Sequence, residues 1–271
     1  MNSKQTDPVH EIDDPDAATS NPQPFKWKNW NILPFKETPC TNEIARNQPA
    51  WTAVVADTQT AGRGRHGRHW TSDAGGLWLS AVLPTPGGPE RWAALPLAIG
   101  LAVIRTLAKL SVAARMRWPN DIIVADRKLA GLLLERYADD RVVAGIGLNL
   151  TNTPADTSPE LAGIATRLCD LTPSLPSRDE FLISLLSHLH EIHQEMPSGG
   201  VESLVDELNC MWGDLPRPVE LDVQGKLIAG NFMGVTNTGD LILLDDEGRK
   251  SVHNAAYVAI LREKISSQIN P

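Results

Sequence analysis

The run from Leu77 to Leu83, Leu-Trp-Leu-Ser-Ala-Val-Leu, carries no polar alternation. A strand facing water on one side would alternate, so this one is expected to be covered on both faces. That requirement forces a layered fold, in which a sheet is packed over by other elements. Trp51 to Asp57 reads as a second buried strand. Ile122 to Val124 and Lys128 to Tyr137 read as a strand pair joined by a turn at Ala125-Asp126-Arg127. Leu132, Leu133 and Leu134 break alternation there, which predicts that the pair is central in its sheet. Val142 to Leu150 is a further strand, with Gly145 and Gly147 where a ligand or another backbone can come close. Helical spacing supplies the cover: Leu95, Ile99, Val103, Leu107 and Leu110, with Pro96 in the first turn, then Arg178 to Met196 and Val201 to Trp212.

The remaining segments are shorter. Phe25 to Leu33 is expected to enter the fold as a strand and Met116 to Trp118 to form another. Ile44 to Arg46 shows a short helical pattern with Glu43 at its positive end, for which Thr41 is a candidate N-cap. Residues 84 to 89 read as loop and 154 to 176 as irregular. After Leu215 the pattern changes to five short strands, 219–223, 226–230, 232–235, 241–245 and 250–252, which suggests a small SH3-like barrel. The organisation expected is therefore α+β: a tail over 1–24, a main domain over 25–213 and a small β domain over 214–264.

Composition narrows the function. A net charge of −8 argues against a general nucleic-acid binder, which needs a basic face. The tail carries Asp7, Glu11, Asp13, Asp14 and Asp16 with several prolines, and is expected to be disordered and to lack the apolar faces of a helix-turn-helix. Three cysteines, Cys40, Cys169 and Cys210, have neither metal-type spacing nor an even count, which fits a reducing cytoplasm. The sequence shows no signal peptide and no run of about 18 apolar residues. His188, His190 and His193 invite a metal reading, but no carboxylate motif completes it.

Against that acidic background, Gly62-Arg63-Gly64-Arg65-His66-Gly67-Arg68-His69-Trp70 is a local basic island. Glycine permits close backbone approach, and guanidinium forks suit carboxylate and phosphate. The segment is expected to fold over an anionic ligand and, because its cations repel, to stay mobile until one binds. Taken alone it equally suits a solvated loop or an RNA-binding segment. Arg117-Trp118-Pro119-Asn120-Asp121 and Lys128-Leu129-Ala130-Gly131-Leu132-Leu133-Leu134-Glu135 add a hard-oxygen metal ligand, a further cation and a close-approach glycine, which together make a phosphate site.

These three motifs, in this order and spacing, resemble those of the biotin protein ligases, over roughly residues 30 to 262, in the form without an N-terminal DNA-binding domain. The resemblance implies a class II synthetase-like mixed sheet with packed helices, followed by the SH3-like barrel. It implies a ligase that activates biotin with ATP as biotinyl-5′-AMP and transfers it to a lysine of a biotin carboxyl carrier protein, with no tightly bound prosthetic group. Carried over by position, Lys128, Arg65 and Asp121 would be catalytic, Asp121 would position Mg²⁺, and Asp121 would help deprotonate the incoming amine. Biotin would meet Cys40, Thr41, Asn42, Gln59, Gly62, Arg63, Arg65, Lys128, Gly131 and Gly145. The nucleotide would meet Arg63, Arg65, Arg68, Trp70, Asn120, Lys128 and Asn149, with Trp70 over the adenine. The chain departs from the pattern at Cys40, where the family has serine, and at Arg117, where it usually has lysine. A homodimer is compatible with the resemblance; DNA and membrane partners are not expected. The other readings are a lipoyl or octanoyl ligase or transferase on the same scaffold, and a non-catalytic RNA-binding protein.

Overall fold

The computed structural model describes residues 21–88, 90–196 and 201–263. Most of the expected tail, residues 1–20, lies outside them, as do Pro89 and residue 264. Residues 21–24 are exposed and carry no regular structure. In chain order the elements are β1 (Phe25–Trp27), β2 (Trp30–Thr38), α1 (Thr41–Ala45), β3 (Thr52–Gln59), β4 (Gly76–Pro84), α2 (Leu95–Ala108), β5 (Arg115–Arg117), β6 (Asp121–Val124), β7 (Arg127–Ala138) and β8 (Arg141–Asn149). There follow α3 (Pro154–Thr157), α4 (Arg178–Glu195), α5 (Val201–Met211), β9 (Arg217–Val223), β10 (Lys226–Val235), β11 (Leu241–Leu244), β12 (Lys250–His253) and β13 (Val258–Glu263).

The first eight strands form one sheet in the order β1-β2-β3-β4-β8-β7-β6-β5. It is mixed, since β2 and β3 run parallel while the other neighbours are antiparallel. β4 is buried from Gly76 to Leu83, as its unbroken apolar run demands. One face is covered by α2, with α4 and α5 packed against that helix. The opposite face carries α1 over a small cluster of Ala45, Val54, Val82 and Val143. Residues 90–108 are long and apolar enough to cross a membrane, but 72% of that stretch is buried inside the fold, so it is a core helix.

Three expectations change. Leu33 does not end the first strand: β1 and β2 are a hairpin, and β2 continues through Pro34 to Thr38. Pro34 falls after the last β1 pairing at Ile32, in the stretch of β2 with one neighbour, where sheets tolerate proline. Thr41 is the first residue of α1, not its cap; Cys40 holds the cap position and makes no side-chain capping bond. The β6/β7 pair is not central, because β6 is next to the edge strand β5. Leu132 is buried in the core while Leu133 lines a cavity on the other face, so the unbroken leucines reflect a site rather than a second layer.

The last five strands form a separate antiparallel sheet, β12-β11-β10-β9-β13. Its membership differs from the sequence reading: 226–230 and 232–235 are one strand with an irregularity between Phe232 and Val235, and β13 is additional. The two sheets share one apolar core. Trp212 meets Phe232 edge to face at 5.1 Å, and Trp118 Nε1 donates to the carbonyl of Gly239 at 2.9 Å.

Candidate active site

A cavity of about 230 Å³ opens on the face of the sheet away from α2, between α1, the Gly62–Trp70 loop, β7, β8 and the second sheet. Its walls bring together Cys40, Thr41, Asn42, Gln59, Arg63, Arg65, Arg68, Trp70, Asn120, Asp121, Lys128, Gly131 and Gly145. Two expected residues are not on its wall. Asn149 is buried at the end of β8, donating to the Thr166 carbonyl at 3.1 Å and accepting from Asn152 at 3.0 Å. Gly62 serves the loop instead: its carbonyl accepts from Trp70 N at 2.9 Å, and a Cβ there would collide with the Trp70 carbonyl oxygen.

The loop closes on itself through Gly64 N to the Arg68 carbonyl at 2.8 Å, around a short 3-10 turn with His66 at φ 56°. Its three guanidinium groups do not all sit side by side as the sequence suggested: Arg65 and Arg68 reach the same segment, 255–259, while Arg63 turns away from them. Arg65 donates to the carbonyls of Ala255 and Val258 at 2.6 and 3.1 Å, and Arg68 to that of Ala259 at 2.7 Å. Burial, followed by the charge of Arg68, lowers the pKa of Arg65. Arg63 turns the other way, to Glu43 at 3.4 Å and Glu135 at 3.9 Å. Burial opposes its charge, but Cys40 Sγ and the carboxylates of Glu135 and Glu43 hold its pKa above the usual range.

Lys128 Nζ lies 2.6 Å from Asp121 Oδ1 and 4.9 Å over the ring of Trp70. The Trp70 indole packs where side chains are missing: a Cβ on Gly131 would come within 2.8 Å of the ring, and one on Gly147 within 2.5 Å of Nε1. That Nε1 is buried without a hydrogen-bond partner. Asn120 Nδ2 donates to the Leu132 carbonyl at 2.8 Å, which ties the β5–β6 turn to β7.

The opposite end of the cavity is polar. Gln59 Oε1 accepts from the Thr41 backbone at 2.8 Å and from its hydroxyl at 3.0 Å, and Gln59 Nε2 donates to Ser72 Oγ at 2.8 Å. A Cβ on Gly145 would lie 2.5 Å from Asn42 Oδ1, so this glycine admits the Asn42 amide to the sheet surface.

Several residues here escaped sequence reasoning. Ser80, Ser72 and Glu135 hold the polar side chains in place, and residues 259–261 of β13 form part of the wall. Glu135 ends the Lys128 motif and was visible there; the others carry no local signal. Arg117 lines the cavity and donates to Glu263 at 3.1 Å, which also takes Arg115 at 2.7 Å and Arg217 at 3.0 Å. The three histidines of α4 have separate partners: His188 meets Thr106 Oγ1 at 2.8 Å, His190 meets Asn29 at 3.0 Å, and His193 Nε2 meets the Pro84 carbonyl at 2.7 Å.

Residues 36–151 match the model of the biotin/lipoate A/B protein ligase family. The bifunctional ligase/repressor BirA of Bacillus subtilis is 29% identical over 225 residues, 79% of this chain and 68% of that protein. The biotin--[acetyl-CoA-carboxylase] ligase of Mycobacterium tuberculosis is 39% identical over 142 residues, half of this chain and 52% of its own length. Among solved structures, the Aquifex aeolicus biotin protein ligase in complex with biotin and ATP superposes with a TM-score of 0.76 at 29% identity, over 88% of this chain and 100% of that one. Motif order, the mixed sheet and these likenesses agree: residues 36–151 match the biotin/lipoate A/B protein ligase family, and the chain as a whole is similar to biotin protein ligases.

Proposed function

We propose that this chain is a biotin protein ligase, which forms biotinyl-5′-AMP from biotin and ATP and transfers the biotinyl group to a lysine of a biotin carboxyl carrier protein. The observation that carries this reading is the polarity of one cavity. One end gathers Arg65, Arg68 and Lys128, while the other presents Thr41, Asn42 and Gln59, with Arg63 turned toward it, and suits a ureido ring with two N–H donors and one carbonyl.

In the first step a biotin carboxylate oxygen attacks the α-phosphorus of ATP, the bond to the bridging oxygen breaks, and pyrophosphate leaves. Negative charge gathers in one place, so catalysis is chiefly electrostatic placement. Lys128 holds the carboxylate against the α-phosphate, Arg65 and Arg68 face the polyphosphate, and Trp70 covers the adenine. Asp121 offers a hard oxygen beside this charge, and no cluster of three acidic, His or Cys side chains able to hold a metal occurs among the described residues. Asp121 therefore suits Mg²⁺ arriving with the nucleotide, an ion that takes one or two carboxylates plus phosphate oxygens. In the second step the neutral carrier amine attacks the acyl carbon and AMP departs, with Asp121 placed to take the amine's proton.

The further assignments rest on the same reading. Residues 25–213 form the catalytic unit and 214–264 an SH3-like unit, supported by the separate five-stranded sheet. The carrier docks along an exposed sheet edge. Free thiols at Cys40, Cys169 and Cys210 fit a cytoplasmic protein. The test is pyrophosphate–ATP exchange with biotin or lipoate as the acid, followed by transfer to a carrier domain. Exchange with biotin and not lipoate is expected; the reverse preference would overturn the assignment.

A further inference from the structure

Beneath α1, three side-chain contacts ask for more protons than the side chains in them supply. Thr41 Oγ1 lies 3.0 Å from Gln59 Oε1, Ser80 Oγ lies 2.7 Å from Thr41 Oγ1, and Ser80 Oγ lies 2.5 Å from Asn42 Oδ1. Each contact needs one proton, and the two hydroxyls carry one apiece. Neither amide makes up the difference. The Thr41 backbone N–H, 2.8 Å away, fixes Gln59 Oε1 inward and sends Nε2 to Ser72. Asn42 is fixed by Glu135, whose Oε2 accepts from Nδ2 at 2.6 Å; turning the amide over would set two acceptors against each other. The second Nδ2 proton points to the Leu133 carbonyl at 3.4 Å. Asn42 is buried and Gly145 leaves the space its amide fills.

We infer that Glu135 is a positioning residue that sets the hydrogen-bond polarity of the cavity: by holding Asn42 Oδ1 inward it leaves the network one proton short, so that the wall accepts from a ligand N–H. In the completed arrangement Ser80 donates to Asn42, Thr41 donates to Ser80, and Gln59 Oε1 accepts from the ligand. A cyclic urea offers such N–H groups and a plain fatty acid does not, so Glu135 contributes to selecting biotin; this rests on the biotin reading above. Without Glu135 the Asn42 amide turns over, Nδ2 donates to Ser80, Ser80 to Thr41 and Thr41 to Gln59. The network is then complete without ligand, and its demand for an N–H donor is gone.

The test compares wild type with Glu135→Ala and Glu135→Gln by calorimetric binding of biotin and of biotin N-methylated on the ureido ring, alongside steady-state kinetics. For Glu135→Ala the biotin Kd should rise about 10- to 100-fold, the scale of losing a hydrogen bond in a site left with a mismatched partner. The kcat at saturating biotin and the KM for ATP should move by less than about threefold, and the preference for biotin over the methylated analogue should shrink. Glu135→Gln keeps an oxygen for Asn42 without the charge and should fall between. An unchanged Kd and preference in both variants would overturn the proposal. So would an equal loss for biotin, analogue and ATP with the preference preserved, since that marks a structural role. Wild-type protein that binds no biotin would instead remove the functional reading itself.

Discussion

Lys128 stands where charge must change hands. Its ammonium is held between the Asp121 carboxylate at 2.6 Å and the face of Trp70 at 4.9 Å, on a strand rather than a loop. A cation so placed is pre-oriented, and the charge that develops on the α-phosphate meets it without reorganisation. Lys128→Ala should slow biotin-dependent pyrophosphate exchange by about 10²- to 10³-fold, the scale for losing one such donor. Near-normal exchange would remove Lys128 from the chemistry. Single residues of this kind were legible because their motifs are local: the Gly-Arg loop, the Asn120-Asp121 turn and the Lys128 strand all reach one cavity. Asn149 shows the limit of carrying a role over by position. Its amide is spent on the Thr166 carbonyl and on Asn152, a use that depends on a loop whose path the sequence does not disclose.

At the scale of elements, short-range pattern located most strands, and errors came where tertiary neighbours overrule it. The strand expected over Phe25 to Leu33 stops short of Pro34, yet β2 passes through this residue because the proline lies beyond the β1 pairing. β13 was missed because Ala259 to Leu261 is only partly covered and gives a weak period, although this strand walls the cavity. The β6–β7 hairpin turns on Ala125 and Asp126, with φ of 47° and 60°, a conformation that favours glycine or asparagine at the first position. Replacing Ala125 by Gly relieves a left-handed alanine, offset by unfolded-state entropy. The expected gain is about 0.5–1 kcal/mol, seen as a melting point higher by about 1–3 °C. A lower melting point would show that this backbone is not strained. The Gly62–Trp70 loop makes a second test, because Arg65 and Arg68 already grip carbonyls of the second sheet at Val258 and Ala259. Trypsin should cut after Arg63, Arg65 or Arg68 in the free protein, partly less with biotin, and least with biotin plus Mg·ATP. Equal rates with and without saturating ligands would show that the loop does not close over the adenylate.

The whole molecule is joined where no local signal could show it, at Glu263 on the last described strand. This carboxylate takes Arg115 and Arg117 from the first sheet and Arg217 from the second, and its side chain is only 13% exposed. Burial alone would raise its pKa, but the guanidinium groups of Arg115, Arg117 and Arg217 outweigh burial and draw it down to about 2. A folded-state pKa below the unfolded value of 4.5 means that the stabilisation is complete above about pH 4.5 and is lost as pH falls toward 2. The shift corresponds to something on the order of 3 kcal/mol at neutral pH. Glu263→Gln keeps the shape and removes the charge, leaving three guanidinium groups near one another with a neutral partner. It should lower the melting point at pH 7 by about 5–10 °C. It should also flatten the fall of melting point between pH 4.5 and pH 3, because the titrating group is gone. Arg117 lines the cavity, so the same variant should weaken ATP binding while biotin binding at the opposite end holds. Calorimetry across that pH range decides the matter: parallel curves for wild type and variant would mean that this carboxylate does not couple the two sheets, and that the shared apolar core and the remaining hydrogen bonds hold them together.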